Sequence, residues 1–262
     1  MGYDMDSAAP TLTVVVPCYN EAERLDGAPL LAFVQGNPDF SLIFVDDGST
    51  DATAQCLAAI AADGGGRIEV LTLRPNAGKA EAVRQGMRAA LARGARIVGY
   101  LDADLSTPLT EVPRLREALG RPGVEAAIGA RVALLGSDIQ RSAVRHYLGR
   151  VFATAASLIL KAPVYDTQCG AKLFRATPAL AAALDAPFLS RWAFDVELLG
   201  RLLAGGAATP LPISAIVEVP LAVWHDVKGS KLGAGAMVRS LEDLARIGVD
   251  LAGRRRTRGI KA

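Results

Sequence analysis

Cysteine is scarce in this chain of 262 residues: Cys18, Cys56 and Cys169 are odd in number and far apart. That usage excludes a disulfide framework and offers no zinc site, so buried thiols are expected. Long apolar runs are lacking too. The best candidate, Val151 to Leu160, falls well short of the roughly 20 residues a spanning helix needs and reads as a buried or interfacial helix. The N-terminus has no basic stretch followed by an apolar core, so no secretion signal is expected and a cytoplasmic location follows. A dominant charge is also missing: at +2, the chain bears no mark of a nucleic-acid binder. Neither a Gly-x-Gly-x-x-Gly after the first strands nor a Gly-x-x-x-x-Gly-Lys-Ser/Thr occurs, which excludes the two common phosphate loops.

What is present points to a globular α/β chain, with 51% hydrophobic and 21% charged residues. A mean hydropathy of +0.26 is high for a freely soluble protein and hints at contact with a membrane. Three short runs rich in β-branched residues, Leu12 to Val16, Leu42 to Val45 and Ile97 to Leu101, each end in a polar cluster. Helical stretches separate them: Glu21 to Val34, Asp51 to Ala62 with a cap around Ser49 or Thr50, and Lys79 to Ala92. Ile68 to Leu73 and Ala126 to Ile128 read as further strands. This alternation predicts a mostly parallel sheet with helices packed on it, and ligands in such sheets sit at the carboxyl ends of the strands. The second half is less regular. Val144 to Leu160 and Phe194 to Leu203 are helical, Asp166 to Arg175 breaks the pattern, and Leu232 to Leu251 forms an amphipathic helix before a basic tail. The expected organisation is a tail over 1–10, one domain over 11–231, and the helix and tail over 232–262.

The strand-end clusters carry the chemistry. Asp102-Ala103-Asp104 closes the third run, and alternation along an extended chain puts both carboxylates on one face. Hard oxygen ligands so placed suit Mg²⁺ or Mn²⁺ bridged to substrate phosphates; a pair of capping acids is the competing reading. Pro17-Cys18-Tyr19-Asn20-Glu21 and Asp46-Asp47-Gly48-Ser49-Thr50-Asp51 lie at the ends of the first two runs. They offer carboxylates for a base imide or ribose hydroxyl and an aromatic face at Tyr19. Three such clusters at successive strand ends make a site.

These motifs, with Asn76-Ala77-Gly78-Lys79 and Gly129-Ala130-Arg131, resemble the inverting GT-A-fold glycosyltransferases of the polyprenyl-phosphate sugar synthase type. Asp166-Thr167-Gln168-Cys169-Gly170-Ala171-Lys172-Leu173-Phe174, Arg191 to Glu197 and Trp224 to Lys231 are similar to dolichyl-phosphate β-glucosyltransferases in particular. The resemblance implies a GT-A sheet with a C-terminal acceptor-side extension. It implies a UDP-sugar donor held by Pro17, Tyr19, Glu21, Val45, Asp47, Lys79, Asp102 and Ala103, and a divalent metal on Asp104 and Asp102. Arg131 and Lys231 would meet phosphate, and Asp195 would take a positioning or catalytic role, although its place also suits an acid at a helix N-terminus. Ser106 stands where mannosyl relatives commonly carry Gln, and His225 where they tend to carry Arg, which favours glucose.

The implied reaction carries glucose from UDP-glucose to a polyprenyl phosphate at a membrane surface. A GDP-mannose donor and a saccharide acceptor are the alternatives, and a nucleotidyltransferase or a noncatalytic nucleotide-binding protein are more remote ones. Val144 to Leu160, with Arg141, Arg145, Arg150 and Lys161 around it, is open to two readings, a core helix or an interfacial one. Trp192 and Trp224 share that ambiguity. The terminal Arg254, Arg255, Arg256, Arg258 and Lys261 read either as a solvated tail or as a contact for anionic lipid.

Overall fold

The computed structural model describes residues 11–140, 143–225, 234–257 and 259, with side chains for all of these except 143–146, 148 and 234–239. In chain order the elements are β1 (Leu12–Cys18), α1 (Gly27–Gly36), β2 (Phe40–Asp46), α2 (Thr53–Asp63), β3 (Ile68–Thr72), α3 (Lys79–Ala92), β4 (Ile97–Leu101), α4 (Val112–Leu119) and β5 (Ala126–Ala130). There follow β6 (Asp138–Gln140), α5 (Ala143–Leu160), β7 (Ala171–Arg175), α6 (Pro178–Ala183), α7 (Phe194–Ala204), β8 (Ile216–Pro220), β9 (Val223–His225) and α8 (Ala234–Thr257).

Seven strands form one sheet in the order β3-β2-β1-β4-β7-β5-β8, and β6 pairs with β9 in a separate two-stranded ribbon. All pairings in the large sheet are parallel except those of β7, which runs antiparallel between β4 and β5. Because the strands are covered on both faces, alternate residues feed different cores. Val14 and Val16 of β1 pack with Leu30 of α1, Leu57 of α2 and Leu115 of α4. Val15 points the other way, toward α3, α5, α7 and α8. The chain leaves β1 in one direction to build β2 and β3, then returns to place β4 on the opposite side of β1. That reversal opens a crevice at the carboxyl ends of β1 and β4.

Four local differences from the sequence reading have physical causes. The first helix begins at Gly27, where Asp26 caps it by accepting from the Ala28 amide, instead of at Glu21. The preceding residues are tied to the next cluster: the Glu21 amide donates to Thr53 Oγ1 at 2.8 Å and the Ala22 amide to Asp51 at 3.3 Å. The turn into α2 is likewise held by Asp51, which accepts from the Thr53 amide, because Ser49 and Thr50 are taken up by hydrogen bonds with Asn20. The apparently irregular Asp166 to Arg175 contains β7, an interior strand with four consecutive buried residues, one of them Lys172. Its charge disguises the strand.

The last helix continues through the arginines to Thr257. Leu244, Ile247 and Leu251 join the core. Arg254 pairs with Asp250 at 2.6 Å, and the buried Arg255 donates to the carbonyls of Ile159 and Leu160 at the end of α5. Trp224 is buried, whereas Trp192 is 43% exposed.

Replacing Arg255 by Met strands those α5 carbonyls without donors. Urea denaturation of Arg255→Met should show a loss of about 1–3 kcal/mol, the cost of leaving buried polar groups unsatisfied; an unchanged midpoint would mean that the contact is not holding α8 to α5.

Candidate functional site

The three strand-end clusters meet in the crevice. Pro17 and Val45 are partners in the β1–β2 register, so the segments after them emerge side by side. Tyr19 stands at the rim, 47% exposed. Val45 is fully buried and its side chain packs beside Gly86 of α3, so it supports the crevice from beneath. Asp47 is also buried, and its carboxylate organises the loop before α3: it accepts from the amides of Ala77 and Gly78, both at 2.7 Å, and from the Asn76 side chain at 3.0 Å. Gly78 adopts φ +94°, a left-handed conformation that glycine takes without strain. Arg191 lies over this loop, donating to the carbonyls of Ala77 and Asn76.

At the end of β4, Asp102 and Asp104 differ in their surroundings. Lys79, the first residue of α3, places its ammonium 2.6 Å from Asp102 Oδ1. Burial alone would raise the Asp102 pKa, but Lys79, then Lys172 and Arg131, outweigh it and hold the carboxyl below the usual range. Desolvation works against charge on Lys79, yet Asp102, Asp195 and Asp104 keep its pKa above the ordinary lysine value. The Asp102 carboxylate also fills the space where a Cβ on Gly170 would lie, so the glycine leaves room for the acid. Asp104 accepts from the Ser106 amide at 3.0 Å through Oδ1. Glu21 faces it across the crevice. One Glu21 oxygen is bound by Arg24 and the other, Oε2, is buried without a hydrogen-bond partner. Burial is the main reason its pKa is raised; Arg24 opposes that shift, and Asp104 and Asp51 add to it.

Beneath these acids runs a buried charge network. Tyr100 on β4 and Lys172 on β7 are register partners and so share a face, where Asp195 at the start of α7 meets both. The Lys172 ammonium donates to Asp195 Oδ1 and to the Cys169 carbonyl, each at 2.5 Å, and the Tyr100 hydroxyl donates to the same carboxylate oxygen. Lys172 has no exposure to solvent. Beside it, Arg131 makes a two-pronged pair with Asp166 at 2.7 and 2.8 Å and lies over the ring of Trp224. Burial works against its charge, but Asp166 more than compensates and raises its pKa. Glu218 fixes this corner by accepting from the amides of Tyr165 and Asp166. Glu197 belongs elsewhere. It is fully buried, paired with Arg201 at 2.6 Å and bonded to the Leu189 amide.

The structure thus gathers Tyr19, Glu21, Asp47, Lys79, Asp102, Ala103, Asp104, Arg131 and Asp195 around one crevice, while Lys231 and Arg141 lie outside the described residues. The sequence reading gave no role to Tyr100, Asp166 or Lys172. An aspartate, a lysine and a cysteine within the Asp166 to Phe174 stretch were the available signal. Among the described residues no set of three or more His, Cys, Asp or Glu side chains could hold a metal unaided. Two carboxylates, one of them with an oxygen free of protein donors, do fit an ion that takes its remaining ligands from substrate oxygens and water.

Residues 13–179 match glycosyl transferase family 2. Over 242 residues the chain is 37% identical to a dolichyl-phosphate β-glucosyltransferase of Drosophila melanogaster, covering 87% of this chain and 71% of that protein. It is 27% identical to a polyprenol monophosphomannose synthase of Mycolicibacterium smegmatis, covering 91% and 87% of the two chains. Among solved structures it superposes on glucosyl-3-phosphoglycerate synthase from Mycobacterium tuberculosis, in complex with Mn²⁺, UDP and glucosyl-3-phosphoglycerate, with a TM-score of 0.67. That match has 22% identity and covers 93% of this chain and 81% of the other. The mostly parallel sheet flanked by helices is the GT-A architecture expected from the sequence.

The depressed Asp102 pKa gives a direct check on the site. Its ionised form is complete above the usual carboxylate value and is lost only as pH falls through the lowered one. Removing the main lowering charge in Lys79→Met should raise the Asp102 midpoint, read by carboxyl-carbon NMR without added metal. An unmoved midpoint would place the controlling charge elsewhere.

Proposed function

The chain belongs to glycosyl transferase family 2 and is a nucleotide-sugar glycosyltransferase, and on that premise we propose that it transfers glucose from UDP-glucose to a polyprenyl phosphate. The observation that carries the choice of acceptor is the state of Asp195. Its Oδ1 is occupied by both Lys172 and Tyr100. An acceptor hydroxyl would need a base to remove its proton. A phosphate monoester has its second pKa near about 6 and arrives already anionic. Asp195 then acts by position, at the N-terminal end of α7 and across from Asp102. The likeness to a dolichyl-phosphate β-glucosyltransferase supports the same acceptor.

In this reading the UDP moiety lies over the ends of β1 and β2, with Tyr19 against the base and the unpartnered Glu21 Oε2 accepting from a ribose hydroxyl. Asp47 acts mainly by fixing the loop from which Lys79 reaches the crevice. Asp104, with Asp102 beside it, would hold Mg²⁺ or Mn²⁺, which when bound supplies positive charge to the donor diphosphate. Lys79 and Arg131 add cationic field at the same place, and such pre-set charge is often the largest contribution to rate. Lys231 would approach the acceptor phosphate. Attack opposite the departing UDP inverts an α-linked donor to a β-linked product.

The acceptor puts the enzyme at a membrane surface, as a peripheral protein on the cytoplasmic face. Among the described residues no helix is long and apolar enough to cross a bilayer. A GDP-mannose donor is the second reading, supported by the likeness to a polyprenol monophosphomannose synthase. His225, 2.6 Å from Asp138 and hydrogen-bonded through its amide to the Ser106 carbonyl, stands close to the end of β4 and favours glucose.

Incubation with a panel of UDP- and GDP-sugars, a divalent metal and a short polyprenyl phosphate, with the lipid weighed by mass spectrometry, should give hexosyl lipid from UDP-glucose. Product from GDP-mannose alone would overturn the donor assignment. Asp104→Asn should cut transfer by at least about 100-fold, matching the several kcal/mol expected of charge stabilisation at a metal.

A further inference from the structure

Two peptide groups beside the crevice are gripped at both ends. The unit joining Asn76 to Ala77 has its N–H on the Asp47 carboxylate at 2.7 Å and its C=O on Arg191 Nη2 at 3.2 Å. The next unit, Ala77 to Gly78, repeats the pattern: its N–H meets Asp47 at 2.7 Å and its C=O meets Arg191 Nε at 3.0 Å. Each peptide dipole thus runs between an acid and a guanidinium, an arrangement in which charge-assisted bonds polarise and strengthen one another. Together they fix the planes of both units and hence the direction in which the chain enters α3. Gly78 leaves the room this requires, since a Cβ there would lie 2.7 Å from Arg191 Nε. The next residue is Lys79, whose ammonium sits 2.6 Å from Asp102.

Asp47 lies just past β2, whereas Arg191 comes from a distant part of the chain, 114 residues from Ala77. It stands in the turn before α7, four residues ahead of Asp195. That turn is firmly built. Glu197 accepts from the Leu189 amide at 2.8 Å, and Ser190 Oγ accepts from the Ala193 amide at 2.7 Å while donating to Asp243 of α8 at 2.6 Å. Glu197 is held in turn by Arg201, which also donates to the carbonyls of Ala183, Ala186 and Pro187. The buried Ser190, Glu197 and Arg201 therefore form a platform from which Arg191 reaches the Asn76–Gly78 loop. Through that loop the β2 side of the site is bonded to the α7 side.

We propose that Arg191 is a positioning residue: from the α7 turn it clamps the Asn76–Gly78 loop, presents Lys79 to the crevice, and couples nucleotide binding at Lys79 to the order of the turn that leads into Asp195. The assignment rests on the reading of the crevice as a UDP-sugar site. With Asp47 alone, the two peptide units are held by their N–H ends and can pivot about that carboxylate. Coupling of this kind is reciprocal, so a ligand that stabilises the loop also stabilises the turn bonded to it.

The test uses the full chain with UDP and Mn²⁺, comparing the parent with Arg191→Met, Arg191→Lys, Lys79→Met and the double variant Arg191→Met with Lys79→Met. Arg191 is exposed, so its substitution should leave the melting temperature close to that of the parent. In calorimetry Arg191→Met should bind UDP about tenfold more weakly, as the loss of charged hydrogen bonds implies. Arg191→Lys should recover part of that loss, and the double variant should bind no more weakly than Lys79→Met alone. Losses that multiply in the double variant would overturn the proposal, because Arg191 would then act independently of Lys79. In hydrogen exchange read by mass spectrometry, UDP should slow the exchange of residues 188–193 in the parent but not in Arg191→Met. A parent turn that answers to neither UDP nor GDP, or an Arg191→Met turn that answers as the parent's does, would likewise overturn it. A parent that responds to GDP alone would support the coupling and refute the UDP donor. One that responds to UDP yet makes no hexosyl lipid would support the coupling and refute the proposed acceptor.

Discussion

A lysine ammonium shut off from water is the interaction on which the candidate site depends. Lys172 sits on an interior strand, where an unpaired charge would cost many kcal/mol, and three groups make it tolerable: the Asp195 carboxylate, the Cys169 carbonyl and the ring of Tyr100. Such a pair is weak evidence of stability, because apolar residues of similar volume often do as well, whereas removing one partner is costly. Its value lies in what it fixes. Lys172 joins β7 to α7, and its charge reaches Asp102 just past the end of β4. The β4 and α7 sides of the crevice are set against one buried cation.

The same logic sorts the acids. Asp47 spends its carboxylate on three donors of one loop, Asp166 on Arg131, Glu197 on Arg201 and Glu111 on the amides of Ala222 and Val223. Each is an acid that holds backbone or another charge in place. Asp104 and Glu21 retain oxygens with no protein donor assigned to them, and these two face each other across the crevice. Buried acids committed to the fold thus frame a few that are left for ligands.

Much of this was legible in the sequence. The β-branched runs ending in Val16, Val45 and Leu101 announce parallel strands, and the polar clusters that follow them mark the crevice, because period and strand-end chemistry are local properties. The antiparallel β7 was not legible, since Lys172 breaks the apolar run that would reveal a strand, and its partners come from residues 100 and 195. The helix starts at Gly27 and Thr53 were misplaced for a related reason. Side chains that would ordinarily cap a helix are used between clusters, Asn20 with Ser49 and Thr50, and Asp51 with Ala22. The terminal arginines looked like a loose tail, yet Arg255 finds its partners at Ile159 and Leu160, about a hundred residues away in sequence.

The position of β7 also governs how the molecule comes into being. As the chain emerges from the ribosome, β1 to β4 can pair in parallel soon after they appear, but β4 then presents an open edge, and β5 cannot dock beside it. Only when residues 171–175 arrive can the sheet be bridged, after which β5 and β8 find their neighbours. An unpaired edge strand invites association with other chains. Between the synthesis of Leu101 and that of Arg175 the β4 edge of the parallel sheet therefore lacks its native neighbour, and the strand that closes it is the one that carries the buried lysine.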